Sequence, residues 1–346
     1  MTKRAAIIGD GAMGTLAAML FAETGLQPRM WSAFPEHAEA MRRDGENKRF
    51  LPGFRLPRNL LVSTDAAEVC DGADLIVIAV PTKYLRAVLK RIKADLPAEP
   101  VYISVVKGIE RETLLRPSEV VGEVAGPKRL AVLSGPCLSR EVANCLPATV
   151  VVASADPETA EAARQAFATP WFRVYTNDDI PGVELGGALK NVIAIAAGIC
   201  DGLELGSNAK AALVTRGLVE ITRLGAAMGA RAETFAGLAG LGDLVTTCTS
   251  TLSRNHHVGC EIGRGRALAD VLDEMGRVQA EGVETTRSAV ALAERHGVEM
   301  PITQEVHHVL FDGKPAPDAL ADLMSRRPKP ERSPLSVSGE PRSGEV

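Results

Sequence analysis

Aromatic residues, excess charge and long apolar runs are all scarce in this sequence of 346 residues. Phe, Trp and Tyr make up 4% of the residues, which argues against a surface that stacks nucleic-acid bases. The formal net charge is −4, so bulk electrostatics favours neither nucleic acid nor an anionic lipid surface. No stretch approaches the roughly 18 uninterrupted apolar residues of a membrane span. We therefore expect a globular protein with no nucleic-acid partner and no membrane span.

The sequence also lacks a disulfide framework and a secretory signal. Its six cysteines are scattered and form no C-x-x-C pair, a pattern that indicates reduced thiols. The N-terminal stretch MTKRAAIIGDG has basic residues before apolar ones, but the apolar run is too short for a signal peptide. The sequence predicts a cytoplasmic protein.

Two styles of pattern follow each other along the chain. Up to about residue 180, short apolar runs alternate with helical patterns, which is typical of a parallel sheet covered on both faces. From there to about residue 327 only helical periodicity remains. The sequence predicts an α/β parallel-sheet domain over residues 1–182, an all-α domain over 183–327, and a disordered tail rich in Pro, Ser and Gly over 328–346.

A glycine motif follows the first predicted strand and opens the first predicted helix. Its glycines permit a tight turn, and the helix N-terminus offers N–H groups to a pyrophosphate. An ordinary glycine-rich turn is the alternative. The context favours a Rossmann-type fold that binds a dinucleotide through Gly9, Gly11, Ala12, Met13 and Gly14.

The residue that would contact the adenosine ribose is harder to find. An acidic residue about 20 positions after the motif is expected for NAD, and a nearby arginine for NADP. The end of the second predicted strand carries the uncharged Trp31, Ser32 and Ala33, while Glu36 and Arg29 stand outside the expected position. The choice between NAD and NADP stays open.

Polar groups in two later stretches could form a substrate site. Lys107 closes a predicted strand at the edge where open α/β sheets bind their ligands, although a solvated lysine would look the same. The glycine-rich run at 236–259 carries Asp243, several hydroxyls, Arg254 and Asn255. Hydroxyls, an amide and a guanidinium suit a phosphate, with a plain solvated loop as the alternative.

A metal site and a nucleophilic cysteine are not expected. The spacing of Cys248, His256, His257 and Cys260 matches no common structural zinc site. Cys137 has no evident partner base, so a small buried thiol is the simpler interpretation.

The order of the segments resembles the bacterial NAD(P)-dependent sn-glycerol-3-phosphate dehydrogenase family, from about residue 4 to 327. The family interconverts dihydroxyacetone phosphate and sn-glycerol 3-phosphate by reversible hydride transfer, which supplies the glycerol backbone of phospholipids. The segments that carry the resemblance are GDGAMGT, NKRFLPGFRLPRNL, ADLIVIAVPTKYLR, VVKGIE, SGPCLSREV, ELGGALKNVIAIAAGICDGLELGSNAKAALVTRGL, GLAGLGDLVTTCTSTLSRN and EGVETT.

The resemblance assigns roles to individual residues. It implies that Lys190 is the catalytic acid and base. The implied substrate contacts are Lys107, Gly135, Cys137, Asp243, Ser253, Arg254 and Asn255. The implied cofactor contacts, besides the glycine motif, are Lys107, Ser139, Arg254 and Glu281.

The sequence departs from the family at several of these positions. Cys137 stands where serine is usual and Ser139 where alanine is usual, and the glycine motif has Ala12 and Met13 instead of serine and an aromatic residue. Ala33 stands where an arginine commonly contacts the 2′-phosphate of NADP. This last change weakens an NADP assignment.

The setting of Lys190 suits proton transfer. An ordinary lysine has a pKa of about 10.4, and an apolar helix would lower that value by disfavouring the charged ammonium. We expect Lys107 and Arg254 to lower it further and a substrate phosphate to oppose them. Gly186, one turn earlier on the same face, is expected to keep that face clear for the substrate. The alternative is a lysine that extends from a packed helix to water.

Two other functions remain open from the residues alone. One is a related two-domain dehydrogenase that acts on another small hydroxy acid or phosphate. The other is a redox sensor that binds a dinucleotide without turnover. A homodimer is plausible because the helical half would expose apolar faces.

Overall fold

The computed structural model describes residues 3–126, 128–276, 280–328 and 330–331. The predicted disordered tail over 328–346 lies outside the described residues, except for residues 328, 330 and 331.

An eight-stranded sheet forms the N-terminal part of the chain. Its strands are β1 Arg4–Ile8, β2 Gln27–Trp31, β3 Leu61–Ser63, β4 Leu75–Ile78, β5 Val101–Ser104, β6 Arg129–Ser134, β7 Ala148–Ala153 and β8 Phe172–Asn177. Their order across the sheet is 3-2-1-4-5-6-7-8. The first six are parallel, whereas β7 pairs antiparallel with β6 and parallel with β8. The predicted Rossmann-type fold is confirmed, with the last two strands reversed relative to a wholly parallel sheet.

Helices cover both faces of this sheet. Alternate residues of β1 point to opposite sides: Ala5 and Ile7 join one apolar cluster, and Ala6 and Ile8 join the other. The helices of this part are α1 Ala12–Glu23, α2 Pro35–Asp44, α3 Ala66–Cys70, α4 Thr82–Ile92, α5 Pro117–Ala125, α6 Ser139–Ala143 and α7 Pro157–Phe167.

Strand β8 has no counterpart among the strands predicted from the sequence. In this edge strand Phe172 and Val174 are buried while Arg173 and Tyr175 are exposed. Such alternation leaves no continuous apolar run, which was the signal that revealed the central strands.

Only helical structure follows β8 in the described part of the chain. The helices are α8 Ile180–Gly202, α9 Gly206–Ala227, α10 Ala232–Phe235, α11 Asp243–Thr249, α12 Arg254–Gly263, α13 Leu268–Met275, α14 Glu281–His296, α15 Pro301–Phe311 and α16 Ala316–Ser325, with a π-helical turn at Leu238–Gly242. The predicted all-α part is confirmed, and its boundary between residues 182 and 183 stays a prediction.

Helix α8 is the core of the helical part. A Cβ atom on Gly198 would lie 2.1 Å from the carbonyl oxygen of His256, and one on Gly259 would lie 2.0 Å from that of Ile195. The backbones of α8 and α12 therefore touch, and only glycine fits at these crossing points. Within the described ranges, α8 is also the one helix long and apolar enough to cross a membrane, but 94% of its apolar window is buried inside the protein. A core helix shows the same burial.

A buried carboxylate ties α9 to α15. Glu220 accepts hydrogen bonds from the backbone N–H groups of Ile302 (2.7 Å) and Thr303 (3.1 Å) and from the Thr303 hydroxyl (3.1 Å). Glu220 thereby caps the first turn of α15, where the N–H groups have no partner inside the helix. Burial raises the pKa of Glu220 to about 7, although these hydrogen bonds oppose the rise.

We expect the Glu220→Gln variant to lose part of the pH dependence of stability. Because the folded-state pKa of Glu220 is raised, its contribution favours folding at acidic pH and is lost as the pH rises through about 7. Between pH 5 and 8 this loss is about 1–3 kcal/mol. Urea unfolding at both pH values measures it. The matched control is Glu158→Gln, at the exposed start of α7, and equal pH dependence of Glu220→Gln and the wild type would contradict the assignment.

Candidate active site

Two lysines distant in the sequence meet on one carboxylate. Lys190, in the middle of α8, donates to Oδ1 of Asp243, the first residue of α11. Lys107, three residues after β5, donates to Oδ2 of Asp243 at 2.6 Å and to the carbonyl oxygen of Gly135 at 3.0 Å. Asp243 is 1% exposed. The structure thus brings four residues predicted for the site together at the carboxyl edge of β5 and β6, where open α/β sheets bind ligands.

The environment of Lys190 lowers its proton affinity. Its side chain is buried, and its amine also donates to the Thr247 hydroxyl at 2.7 Å. Burial lowers the pKa of Lys190 to about 8, Asp243 opposes this shift, and the nearby charge of Lys107 adds to it. The alternative of a lysine that reaches out to water is therefore wrong. Nothing in the sequence distinguishes Thr247 from the other hydroxyl-bearing residues of its stretch.

Lys107 responds in the opposite way. Burial lowers its pKa, but the charge of Asp243 and the hydrogen bond to it outweigh burial, so the pKa of Lys107 is raised. One lysine of the pair therefore keeps its charge near neutral pH, and the other can exchange a proton there.

Gly186 does not keep the face of α8 clear for a substrate, so that expectation is wrong. A Cβ atom on Gly186 would lie 2.7 Å from the carbonyl oxygen of Ala239, in the π-helical turn. Protein backbone already covers this point. Because the turn leads directly into α11, its close packing on α8 places the Asp243 carboxylate at the Lys190 amine.

A chain of amides explains Asn191, the neighbour of Lys190. Asn255 donates to the Asn191 side-chain oxygen at 2.9 Å and accepts from the Gly282 N–H at 3.0 Å. Asn255 therefore links α8, α12 and the start of α14. Ser253 caps α12 by accepting from the His256 N–H at 3.2 Å.

Two charged groups stand at the neighbouring helix starts. Arg254 is the exposed first residue of α12, and Glu281 is the half-buried first residue of α14. Burial raises the pKa of Glu281, while the positive charges of Arg254 and Lys107 oppose the rise. These groups therefore lie close enough to interact with one another and with the lysine pair.

The glycine loop has the shape of an anion site. Gly9 has a φ of +118°, and a Cβ atom on Gly14 would lie 2.1 Å from the Gly9 carbonyl oxygen. A Cβ atom on Gly11 would meet no protein atom within 4 Å. No side chain caps α1 and no acidic residue lies in its first turn. The open space at Gly11 and the uncapped helix start fit a dinucleotide pyrophosphate.

A polar network below the glycine loop was missed by the sequence analysis. Asp10 accepts from Ser32 at 2.5 Å and lies 2.8 Å from Nδ1 of His37. Burial raises the pKa of Asp10, but the hydrogen bonds from His37 and Ser32 outweigh it and the pKa is lowered. Asn47 donates to the Asp10 carbonyl oxygen and to the Thr15 hydroxyl, both at 2.7 Å. The only sequence signal was an acidic residue between two motif glycines.

A contact between two sulfur-containing side chains connects the glycine loop to the segment after β6. Sγ of Cys137 lies 3.9 Å from Sδ of Met13. Burial raises the pKa of Cys137 to about 11, with Lys107 opposing, so Cys137 stays a thiol at neutral pH. Ser139 follows as the half-buried first residue of α6.

The four residues considered for a metal site are not grouped together. Cys248 is fully buried in the helical core and His257 is exposed. His256 and Cys260 instead lie with Asp201, their potential ligand atoms all within 4.8 Å of one another. Lys210 donates to Asp201 at 2.6 Å, on the same oxygen that lies 2.8 Å from His256. This ammonium competes with any cation for Asp201.

The contact roles assigned to individual residues by resemblance stay predictions.

We expect two alanine variants of the glycine loop to separate stability from binding. Gly11→Ala meets no protein atom and has an ordinary φ of −69°, so its melting temperature should match the wild type. Its affinity for NADH should fall about tenfold through weaker contacts at the helix terminus. Gly14→Ala collides with the Gly9 backbone and should lose about 1–3 kcal/mol of stability. Calorimetry and fluorescence titration measure both effects, and unchanged NADH affinity in Gly11→Ala would argue against the cofactor site.

Comparison with known proteins identifies the family. A model described as the NAD-dependent glycerol-3-phosphate dehydrogenase N-terminus matches residues 4–160, and the corresponding C-terminus model matches residues 179–321. The chain is 49% identical over 326 residues to glycerol-3-phosphate dehydrogenase (NAD(P)+) of Moorella thermoacetica, covering 94% of this chain and 97% of the relative. It is 50% identical over 335 residues to the Geobacter sulfurreducens protein of the same name, covering 96% and 100%.

A solved structure agrees with these relatives. The crystal structure of glycerol-3-phosphate dehydrogenase from Coxiella burnetii matches with a TM-score of 0.90 at 39% identity, and it covers 94% of this chain and 99% of that one. The resemblance read from the sequence is confirmed, as is the prediction of an NAD(P)-dependent oxidoreductase, with the preference between the two nucleotides still open. The chain belongs to the NAD-dependent glycerol-3-phosphate dehydrogenase family.

Proposed function

We propose that this protein catalyses reversible hydride transfer between dihydroxyacetone phosphate and sn-glycerol 3-phosphate with NAD or NADP, and that Lys190 is its general acid and base. The observation that carries the proposal is the buried Lys190 amine, whose pKa of about 8 lies near physiological pH. An acid–base group works best when its pKa lies near the operating pH.

Lys190 would transfer the proton of the reaction. The nicotinamide, when bound, supplies or accepts the hydride. In reduction the protonated Lys190 donates to the substrate carbonyl oxygen, and in oxidation neutral Lys190 accepts the hydroxyl proton. Asp243 holds the amine in place, and the charge retained by Lys107 stabilises negative charge that develops on the substrate oxygen.

The phosphate of the substrate would bind at the start of α12. Arg254 is exposed there, and the N-terminus of α12 carries a positive partial charge. Ser253 and Asn255 hold this helix start in position. Gly135 and Cys137, in the segment after β6, would also contact the substrate. Besides the glycine motif, Lys107, Ser139, Arg254 and Glu281 would contact the cofactor.

The cellular setting is also proposed. We infer a cytoplasmic enzyme that supplies glycerol backbones for phospholipid synthesis, because the reduction proposed above yields sn-glycerol 3-phosphate. The relatives are named glycerol-3-phosphate dehydrogenase. We also infer a homodimer, for which exposed apolar side chains in the helical part give support, such as Leu241, Val245 and Leu252. Sedimentation velocity measures the oligomeric state.

One assay distinguishes this function from its alternatives. The absorbance of NADH and of NADPH is followed with dihydroxyacetone phosphate, and separately with a small 2-keto acid. Consumption with dihydroxyacetone phosphate supports the proposal. Consumption only with the keto acid would indicate a different dehydrogenase, and nucleotide binding without turnover would indicate a sensor.

Replacing Lys190 with alanine should nearly abolish turnover. We expect kcat for dihydroxyacetone phosphate reduction to fall about 10²–10⁴-fold, the usual range for a lost general acid. The affinity for NADH, measured by fluorescence titration, should stay nearly unchanged. Lys210→Ala removes an amine outside the site and serves as the control. Near-normal kcat in Lys190→Ala would refute the assignment.

The two neighbours of Lys190 should shift the pH profile in opposite directions. In the wild type, kcat/KM for sn-glycerol 3-phosphate oxidation should rise through a pKa of about 8, because burial lowers the pKa of Lys190 to that value and oxidation needs the neutral amine. Asp243 raises this pKa and Lys107 lowers it. Asp243→Asn should therefore move the profile to lower pH and Lys107→Met to higher pH. Shifts in the same direction would show that charge coupling is not the cause.

A further inference from the structure

The usual candidates for contacting the adenosine ribose are already engaged in the protein. Ser32, directly after β2, donates its hydroxyl to Asp10 at 2.5 Å. Arg29 within β2 donates to the backbone carbonyl oxygens of Glu68 and Asp71, both at 3.0 Å. The side chain of Arg29 is therefore used to hold the segment after β3 and is not free to bind a cofactor.

The guanidinium of Arg49, which approaches the end of β2, has no such partner. The Cζ atom of Arg49 lies 5.9 Å from the ring centre of Phe34 and 4.9 Å from that of Phe50. Phe34 follows β2 by three residues, directly precedes α2 and is half exposed. Across the described ranges, no acidic side chain pairs with Arg49 and no hydrogen bond leaves its guanidinium. Two aromatic faces therefore orient a cation whose donors remain available.

The segment that carries Arg49 is fixed to the glycine loop. Asn47 donates to the Asp10 carbonyl oxygen at 2.7 Å and accepts from the Phe50 N–H at 3.1 Å. The His37 ring, which contacts Asp10, also packs edge-on against Phe50 with ring centres 5.4 Å apart. These contacts hold Arg49 between the glycine loop and the end of β2, which is the region where Rossmann folds contact the adenosine ribose.

We propose that Arg49 binds the 2′-phosphate of NADP(H) and thereby selects NADP(H) over NAD(H). Rossmann folds that accept the 2′-phosphate have an arginine near this point, and guanidinium donors match phosphate oxygens in pairs. Ala33 leaves the expected position without charge, and Arg49 supplies the charge from a separate segment. The proposal rests on the proposed function only for the identity of the cofactor.

The test compares two fragments of the cofactor that differ in one phosphate. Isothermal titration of the full chain with adenosine 2′,5′-bisphosphate and with adenosine 5′-monophosphate should show tighter binding of the former. Arg49→Ala should weaken the bisphosphate about tenfold, the loss expected for charge-assisted hydrogen bonds, and leave the monophosphate unchanged. Arg49→Lys should bind the bisphosphate with intermediate affinity, because one ammonium cannot pair with two oxygens.

Controls separate this proposal from the proposed function. Lys48→Ala removes the same charge one residue away, where the ammonium pairs with Asp44 at 3.0 Å, and should change neither titration. Equal weakening of both fragments in Arg49→Ala, or no weakening, would overturn the role of Arg49. Preference of the wild type for the monophosphate would overturn it too and would direct attention to the exposed Glu36. Reduction of dihydroxyacetone phosphate by NADH in the wild type tests the proposed function separately, and its absence would refute only that function.

Discussion

The site depends on a single buried carboxylate shared by two lysines. A buried ammonium without a partner is strongly destabilising, and Asp243 allows Lys190 to be buried and Lys107 to be half-buried. One negative charge cannot fully stabilise two positive ones, so the pair divides into a lysine that keeps its proton and a lysine that can lose it. With both lysines protonated, the group of three carries an excess positive charge. An anionic substrate would complete the neutralisation, which connects the buried cluster to the chemistry of a phosphate ester.

The packing of α8 determines where these charges meet. Its small residues at the crossing with α12 let two helix backbones touch, and Gly186 lets the π-helical turn approach close enough to deliver Asp243. The carboxyl ends of β5 and β6 bring Lys107 and Gly135 to the same place. The site therefore forms where the helical core contacts the edge of the sheet, and neither part contains it alone. Gly186, Gly198 and Gly202 in α8 serve backbone contact, not the access of a ligand.

Much of this could be predicted from the sequence, and the remainder has identifiable physical reasons. Apolar runs revealed the central strands because those strands are buried on both faces, whereas β8 alternates in exposure and was missed. Lys190, Lys107 and Asp243 were each predicted for the site from the sequence. However, Lys190 lies 53 positions and Lys107 lies 136 positions from Asp243, and no local pattern predicts that both lysines contact its carboxylate. The role of Gly186 was misjudged for the same reason, since its neighbour Ala239 comes from a distant turn. The direction of β7 depends on long-range pairing and gave no local signal.

The end of β2 shows that a functional position in space need not be a fixed position in sequence. The strand end itself carries no charge at Ala33, and by that criterion the sequence weakened an NADP assignment. The network of Asp10, His37 and Asn47 fixes a neighbouring segment against the glycine loop. A guanidinium on that segment is already oriented by two rings, so little conformational entropy remains to be lost when it meets an anion. A reader of the linear sequence sees a missing arginine, whereas the folded chain presents one from sixteen residues further on.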